Sequence, residues 1–227
     1  MTRKAVVLLS GGLDSSTVLA IAHQEGYELH TLSFDYGKRH QREVEAASAV
    51  ARHYDVVQQK TVKIDLRAFG GSALTADIAV PHARSLEEMA QDIPITYVPA
   101  RNTIFLSFAL AYAEVNGADD IFLGINAIDY SGYPDCRPEY LEAYERMANL
   151  ATRATTQDGR TIHIHAPLMR MSKAEIVRKG TELGVPYELT WSCYEGRERA
   201  CGACDSCILR LNGFAEAGLQ DPIAYEK

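Results

Sequence analysis

No run of apolar residues approaches the roughly 20 needed to cross a bilayer, so a membrane-spanning helix is excluded at the outset. An excess of positive charge is also missing. The chain has 23 Lys and Arg against 30 Asp and Glu, a formal net charge of −7. Such a chain is a poor non-specific binder of nucleic acid or anionic membrane. Any phosphate must therefore be held at a local site, and neither direct nucleic-acid binding nor membrane binding is expected. The opening "MTRKAVVLL" has two basic residues and a short apolar run, but Gly and Asp follow where a small-residue cleavage site would stand. It reads as a strand rather than a signal peptide, and the chain as cytoplasmic. Internal repeats and low-complexity tracts are lacking. Cysteine is scarce outside one window, since four of the five lie between Cys193 and Cys207. Without an export signal, that crowding favours a metal over disulfides.

What is present is the composition of a globular enzyme. The 227 residues suit one domain with a small appendage, and 47% hydrophobic content is enough for a large core. "KAVVLL" reads as a buried strand, and the following helix ends near Gly26. "ELHTLSFDYG" reads as a second strand closed by Gly37, then a helix with Val44, Ala47, Val50 and Ala51 on one side, then a third strand, "VVQQKTVKI". Residues 66–92 are the least regular part, either an active-site lid or a plain surface loop. A helix begins at Arg101, with Ile104, Phe105, Phe108, Ala109 and Tyr112 as its apolar stripe. Then come a strand "DDIFLGIN", a helix "PEYLEAYERMANLATRA", and an alternating strand "TIHIHAPL". The next helix is opened by a Ser172/Glu175 capping box and closed by Gly184. From Pro186 onward lie a cysteine-bearing loop and a last helix, "DSCILRLNGFAEAG". The alternation predicts an α/β fold with an open, mostly parallel Rossmann-like sheet and helices on both faces.

One glycine-rich loop stands out, "LLSGGLDSS" at 8–16. Strand, glycine turn and helix together build an anion site, because the first N–H groups of the helix have no intrahelical partner. Gly11 and Gly12 allow close backbone approach. Ser10, Ser15 and Ser16 add hydroxyls. Yet there is no lysine here, so this is no Walker loop, and the spacing is not GxGxxG. Asp14 would be repelled by phosphates unless it holds a Mg²⁺ bound to them. The bland alternative is that it interacts with the helix N-terminus.

At this point the chain resembles a known superfamily. "SGGLDSS" after a strand is similar to the loop of the N-type ATP pyrophosphatases, the PP-loop enzymes, which cleave ATP between the α and β phosphates. Further motifs, "FDYGKRH", "VPARN", "DYSGYPDCR", "SKAEIV" and the cysteine cluster, resemble the 7-cyano-7-deazaguanine synthases of queuosine biosynthesis. The resemblance implies an adenine nucleotide alpha hydrolase-like domain over 1–185 and a small zinc-binding subdomain over 186–227. It implies ATP and Mg²⁺, and an ATP-dependent ligase that turns 7-carboxy-7-deazaguanine and ammonia into a nitrile through adenylated intermediates. A homodimer is what the family suggests.

Site residues follow from both readings. The nucleotide segment is Leu8, Leu9, Ser10, Gly11, Gly12, Leu13, Asp14, Ser15, Ser16, Thr17 and Val18. Ser10, Asp14, Ser15, Arg101 and Lys173 are the catalytic candidates. Arg101 could clamp a carboxylate or phosphate by two points. Substrate candidates are Arg101, Asn102, Asp129, Tyr133 and Asp135. A carboxylate can accept from the ring N–H and amino group of a deazaguanine, and Tyr133 can stack on it; the same residues also make good turns. Lys38, Arg39 and His40 could supply cations or form a solvated face. Cys193, Cys201, Cys204 and Cys207 suit a closed tetrahedral zinc site, with a redox pair and an iron–sulfur cluster as alternatives. Cys136 is read as a small neutral side chain, and His163 and His165 as structural. The rival functions are another PP-loop adenylating enzyme, such as a tRNA thiolase or amide-forming ligase, and a zinc-stapled nucleotide-binding module without turnover. A tRNA enzyme should carry a basic face or an added RNA domain, which this acidic chain lacks.

Overall fold

The computed structural model describes residues 2–36, 41–127 and 133–226, with the side chains of 86, 90 and 91 left aside. Five strands form one sheet: β1 (Lys4–Leu8), β2 (Glu28–Asp35), β3 (Gln58–Lys63), β4 (Asp120–Phe122) and β5 (His163–His165). Their order is β3-β2-β1-β4-β5, and all pairs are parallel. The order reverses between β1 and β4. In such sheets the ligand crevice opens at the carboxyl ends of those two strands.

Side chains along a strand alternate between faces, and here they feed two cores. Val6, Leu32, Phe34 and Ile121 point into one core, while Ala5, Val7, Leu29 and Phe122 point into the other. The first core is covered by α4 (Arg101–Asn116) and α5 (Pro138–Ala151). The second is covered by α1 (Leu13–Gln24), α2 (Gln41–His53), α7 (Lys173–Glu182) and α8 (Asp205–Glu216). The expected two-faced α/β layering is therefore present. Two short helices remain, α3 (Leu86–Gln91) and α6 (Arg153–Thr156). No helix of the described residues is long and apolar enough to cross a membrane.

Several expected elements are adjusted. The strands read as "DDIFLGIN" and "TIHIHAPL" pair over only three residues each. Residues 123–126 leave the sheet and line the crevice instead. The helix read from 138 breaks at Thr152, whose extended backbone starts α6 and whose hydroxyl accepts from the Thr155 N–H. The α4 stripe is wider than expected: Ala109 is buried and Ile104, Phe105 and Tyr112 pack on the core, but other positions are buried more deeply. Leu106, Ala109, Leu110 and Ala113 are its buried positions, while Phe108 is 40% exposed. This helix is apolar nearly all round, so its period fits more than one face. The Ser172/Glu175 capping box stands as expected, with both reciprocal bonds made.

Residues 66–92 are not a plain surface loop. Ser72, Ala73, Leu74 and Thr75 are buried, and a Ser85/Glu88 capping box opens α3. Further along, Ala83 N–H donates to Ala203 O at 2.8 Å, His82 bonds Glu195 at 2.9 Å, and Arg84 clamps Asp205. The segment is thus strapped to the cysteine loop and to the start of α8.

Gly11 ties the loop after β1 to α2. Its φ is +82°, and a Cβ there would lie 2.4 Å from Ala47 N and 2.5 Å from Glu43 O. Gly159, with φ +67°, has open space instead. Gly11→Ala is therefore expected to cost more than ~2 kcal/mol and lower the thermal midpoint by at least about 4–8 °C. Gly159→Ala should cost only the ~1–2 kcal/mol of a left-handed backbone. Equal melting curves for the two variants would contradict this packing account.

Candidate active site

At the carboxyl ends of β1 and β4 lies a cavity of about 230 Å³, far beyond the ~30 Å³ share of one water. Its floor is the loop after β1. Leu8, Leu9, Ser10, Gly12, Leu13, Asp14 and Ser15 all line it. Gly11, Ser16, Thr17 and Val18 do not. Gly11 is pressed against α2, Ser16 and Val18 are fully buried, and Thr17 donates to Leu13 O at 2.9 Å and meets the Tyr187 hydroxyl at 3.0 Å. Ser15 braces the loop from within: its hydroxyl donates to Gly12 O at 3.2 Å, accepts from the Ser10 N–H at 3.2 Å, and lies 3.0 Å from the Ser10 hydroxyl. With Gly12 as N-cap in extended backbone, the first N–H groups of α1 face the cavity floor without helical partners.

The missing cation comes from the far end of the chain. Lys173, the first residue of α7, donates from Nζ to both carboxylate oxygens of Asp14, at 2.8 and 2.9 Å. Its side chain is only 9% exposed and that of Asp14 21%. Two residues 159 positions apart thus form one charged pair in the cavity wall. A carboxylate next to a phosphate site is tolerable when an ammonium already answers it.

Arg101, at the start of α4, forms part of the cavity wall and donates from its guanidinium to the Tyr36 hydroxyl at 3.4 Å. Asn102, Tyr133 and Cys136 share that wall. Tyr133 is buried, bonds Thr96 through its hydroxyl at 3.1 Å, and lies tilted against Tyr97. Asp135 stands behind the wall rather than in it. Its Oδ2 accepts from the Asn102 backbone N–H at 3.0 Å, and its carbonyl accepts from the Asn102 side chain at 3.1 Å. That carboxylate caps the N-terminus of α4, where a negative charge is favoured, and so fixes Arg101 and Asn102. Burial, reinforced by the Asp135 charge, pushes the Cys136 thiol up to about 12, so it stays protonated. Asp129, Lys38, Arg39 and His40 lie outside the described residues. His165 bonds Asp120 at 2.6 Å and stacks on Phe122, which gives it a structural place at the sheet edge.

The four clustered cysteines converge. Their sulfurs all lie within 4.8 Å of one another, and Cys201 Sγ is 3.9 Å from Cys207 Sγ. A tetrahedral ion with ~2.3 Å metal–sulfur bonds requires sulfurs about 3.8 Å apart, so the donor set fits a single ion. Backbone N–H groups of Cys201, Ala203 and Cys204 point at the sulfurs at 3.3–3.4 Å. Hydrogen bonds from Cys204 and then Cys207 hold the Cys193 thiol down, while the same contacts push Cys204 and Cys207 up. Four thiolates this close repel one another unless a cation joins them.

Comparison with known proteins decides the family. The family model described as "Queuosine biosynthesis protein QueC" matches residues 4–218. The chain belongs to the QueC family. Among its curated relatives, a 7-cyano-7-deazaguanine synthase from Thermoplasma acidophilum is 61% identical over 225 residues, 99% of this chain and 93% of the relative. One from Geobacter sulfurreducens is 63% identical over 227 residues, covering 99% and 94%. The fold also resembles a solved structure, a predicted subunit of tRNA methyltransferase from Methanocaldococcus jannaschii. That likeness has a TM-score of 0.50 at 17% identity and covers 79% of this chain and 75% of the other.

Sequence reasoning overlooked several residues of this QueC-family site. Phe34, Glu43, Trp191, Ser192, Tyr194 and Arg210 all line it. Arg210 is the telling case. It is 2% exposed, and its fork donates to Asp221 at 2.7 and 2.9 Å, to the Thr190 and Ser192 hydroxyls, and to Tyr187 O. Residues 187–192, which carry three of these partners, also reach the loop after β1, where Trp191 N–H donates to Gly11 O at 2.8 Å. Only a charged residue amid the apolar positions of "CILRLNGF" marks it in the sequence. A structural metal in the cysteine set is worth on the order of 10 kcal/mol. Cys204→Ser is therefore expected to lose bound metal and drop the thermal midpoint by ~10 °C or more. Elemental analysis with a melting curve checks this, and an unchanged midpoint would refute the metal's structural role.

Proposed function

We propose that the cavity holds ATP and 7-carboxy-7-deazaguanine together, and that the chain is an ATP-dependent carbon–nitrogen ligase releasing 7-cyano-7-deazaguanine. The observation that carries this is the Asp14–Lys173 pair at the start of α1, with Arg101 and Tyr133 lining the same cavity. The names of the curated relatives support the substrate class. A nucleotide fits the floor because its phosphates meet backbone N–H groups, the Ser10 hydroxyl and the Lys173 ammonium.

The chemistry needs ATP because a carboxylate is a poor electrophile with a poor leaving group. The substrate carboxylate attacks the α-phosphorus and pyrophosphate departs. Ammonia then attacks the acyl carbon, AMP leaves, and an amide remains. The amide oxygen attacks the α-phosphorus of a second ATP, and a second pyrophosphate departs. Loss of that AMP, with both amide N–H protons, gives the nitrile. The loop residues hold the leaving pyrophosphate, and Arg101 orients the carboxylate in line with it. Positioning and charge stabilisation carry such steps, and no nucleophilic side chain is required. Mg²⁺, held through Asp14 and the phosphates, would supply further charge neutralisation there. Zinc in the four-cysteine set has a structural part, away from the reacting atoms. Asp129 is proposed to accept from the base, Asp135 to act through the α4 start, and a homodimer to be the working form.

Asp14→Ala and Ser10→Ala are each expected to lower turnover by about 10²–10³-fold. Ser10→Ala should shift the thermal midpoint by only a few degrees, whereas Asp14→Ala strands the buried Lys173 ammonium and should lower it by about 6–20 °C. AMP and pyrophosphate are measured with and without 7-carboxy-7-deazaguanine and ammonium, together with product mass. Release of AMP without a nitrile mass would point to another adenylating enzyme, and nucleotide binding without release to a binding module.

A further inference from the structure

Gly213 sits inside α8, where alanine would be the better helix former. The reason lies across the helix interface. A Cβ at 213 would stand 2.3 Å from Lys173 Cγ, 3.0 Å from Lys173 Cβ and 3.3 Å from the Lys173 carbonyl carbon. These atoms are the stem and backbone of the lysine, not its mobile tip. They are enclosed, since Lys173 is 8% exposed. The stem of Lys173 lies in the space that a side chain at 213 would fill, and that path delivers Nζ to both oxygens of Asp14. A methyl group there would have to displace the lysine stem or part α7 from α8.

We infer that Gly213 is a positioning residue: the gap it leaves in α8 sets where the Lys173 ammonium stands beside the phosphate loop, and through it the affinity for ATP. This rests on the proposed contact of Lys173 with the nucleotide. The test compares the parent with Gly213→Ala, Lys173→Ala and the double variant, measuring the Kd for ATP by calorimetry and the melting midpoint of each full chain. Each single substitution is expected to weaken ATP binding about tenfold or more, as loss of a charged hydrogen bond does. The double variant should bind no more weakly than Lys173→Ala alone, because both act on one contact. A merely structural glycine would instead give effects that add. Gly213→Ala should also lower the midpoint more with lysine at 173 than with alanine there. Parent-like ATP affinity in Gly213→Ala, or additive losses, would overturn the inference while leaving the Lys173 contact standing. Parent-like affinity in Lys173→Ala would overturn both. Should Gly213→Ala fail to fold, the double variant decides. Recovery of the fold with the affinity of Lys173→Ala supports the inference, and failure to fold again rejects it.

Discussion

The site depends on one ion pair that closes the chain on itself. Asp14 belongs to the first turn of α1 and Lys173 to the first residue of α7, and each alone would be a poor choice. An uncompensated carboxylate beside a phosphate loop repels its ligand. An uncompensated ammonium with its side chain 9% exposed pays a desolvation cost. Together they make a bidentate, charge-neutral pair that holds the two helix starts in register. The parallel sheet makes the meeting possible: every strand delivers its following loop to the same edge, so residues far apart in sequence arrive side by side.

A second set of contacts braces the same loop from the C-terminal segment. Arg210 spends its whole fork on Asp221, Thr190, Ser192 and the Tyr187 carbonyl. Three of those partners, Tyr187, Thr190 and Ser192, lie just before Cys193, and Trp191 among them bonds Gly11. The cysteine loop also receives the strap of residues 82–84. Cys193, Cys204 and Cys207 pack into the core beneath α4, and Phe214 of α8 packs into the opposite one. The cysteine set therefore anchors two walls of the cavity as well as a chain end.

Much of this was legible in the sequence wherever the signal was local. The strand–loop–helix over 4–24, the Ser172/Glu175 box and the spacing of the four cysteines each follow from chemistry within a few residues. Ser85 with Glu88 carried the same box signature, inside a stretch whose glycines and proline drew attention instead. The α4 stripe could not be chosen from period alone, because Phe105 and Phe108 are equally apolar and both meet the Phe34 ring, one stacked at 3.9 Å and the other edge-on at 5.6 Å, with Phe108 still 40% exposed. Lys173 could be placed near a β–α junction, but its partner could not, because that pairing is a property of the sheet order. Arg210 and Gly213 were the least legible. One is a buried charge and the other a glycine inside a helix, and both make sense only against residues on other elements.

The contrast between an acidic chain and a polyanion site is resolved by where charge is cancelled. Asp221 answers Arg210, and Asp14 answers Lys173, inside the protein. Arg101 also lines the cavity, donating to the Tyr36 hydroxyl at 3.4 Å, and its charge is felt by the Glu43 carboxylate of the same lining. Under the proposed reading the floor meets phosphate with backbone dipoles and a compensated lysine, whereas the start of α4 meets the substrate carboxylate with an arginine. This division suits a reaction in which pyrophosphate must leave after the α-phosphorus is attacked. On that proposal a lysine held by Asp14 shares its charge, so it would stabilise departing phosphates without binding them so tightly that release stalls.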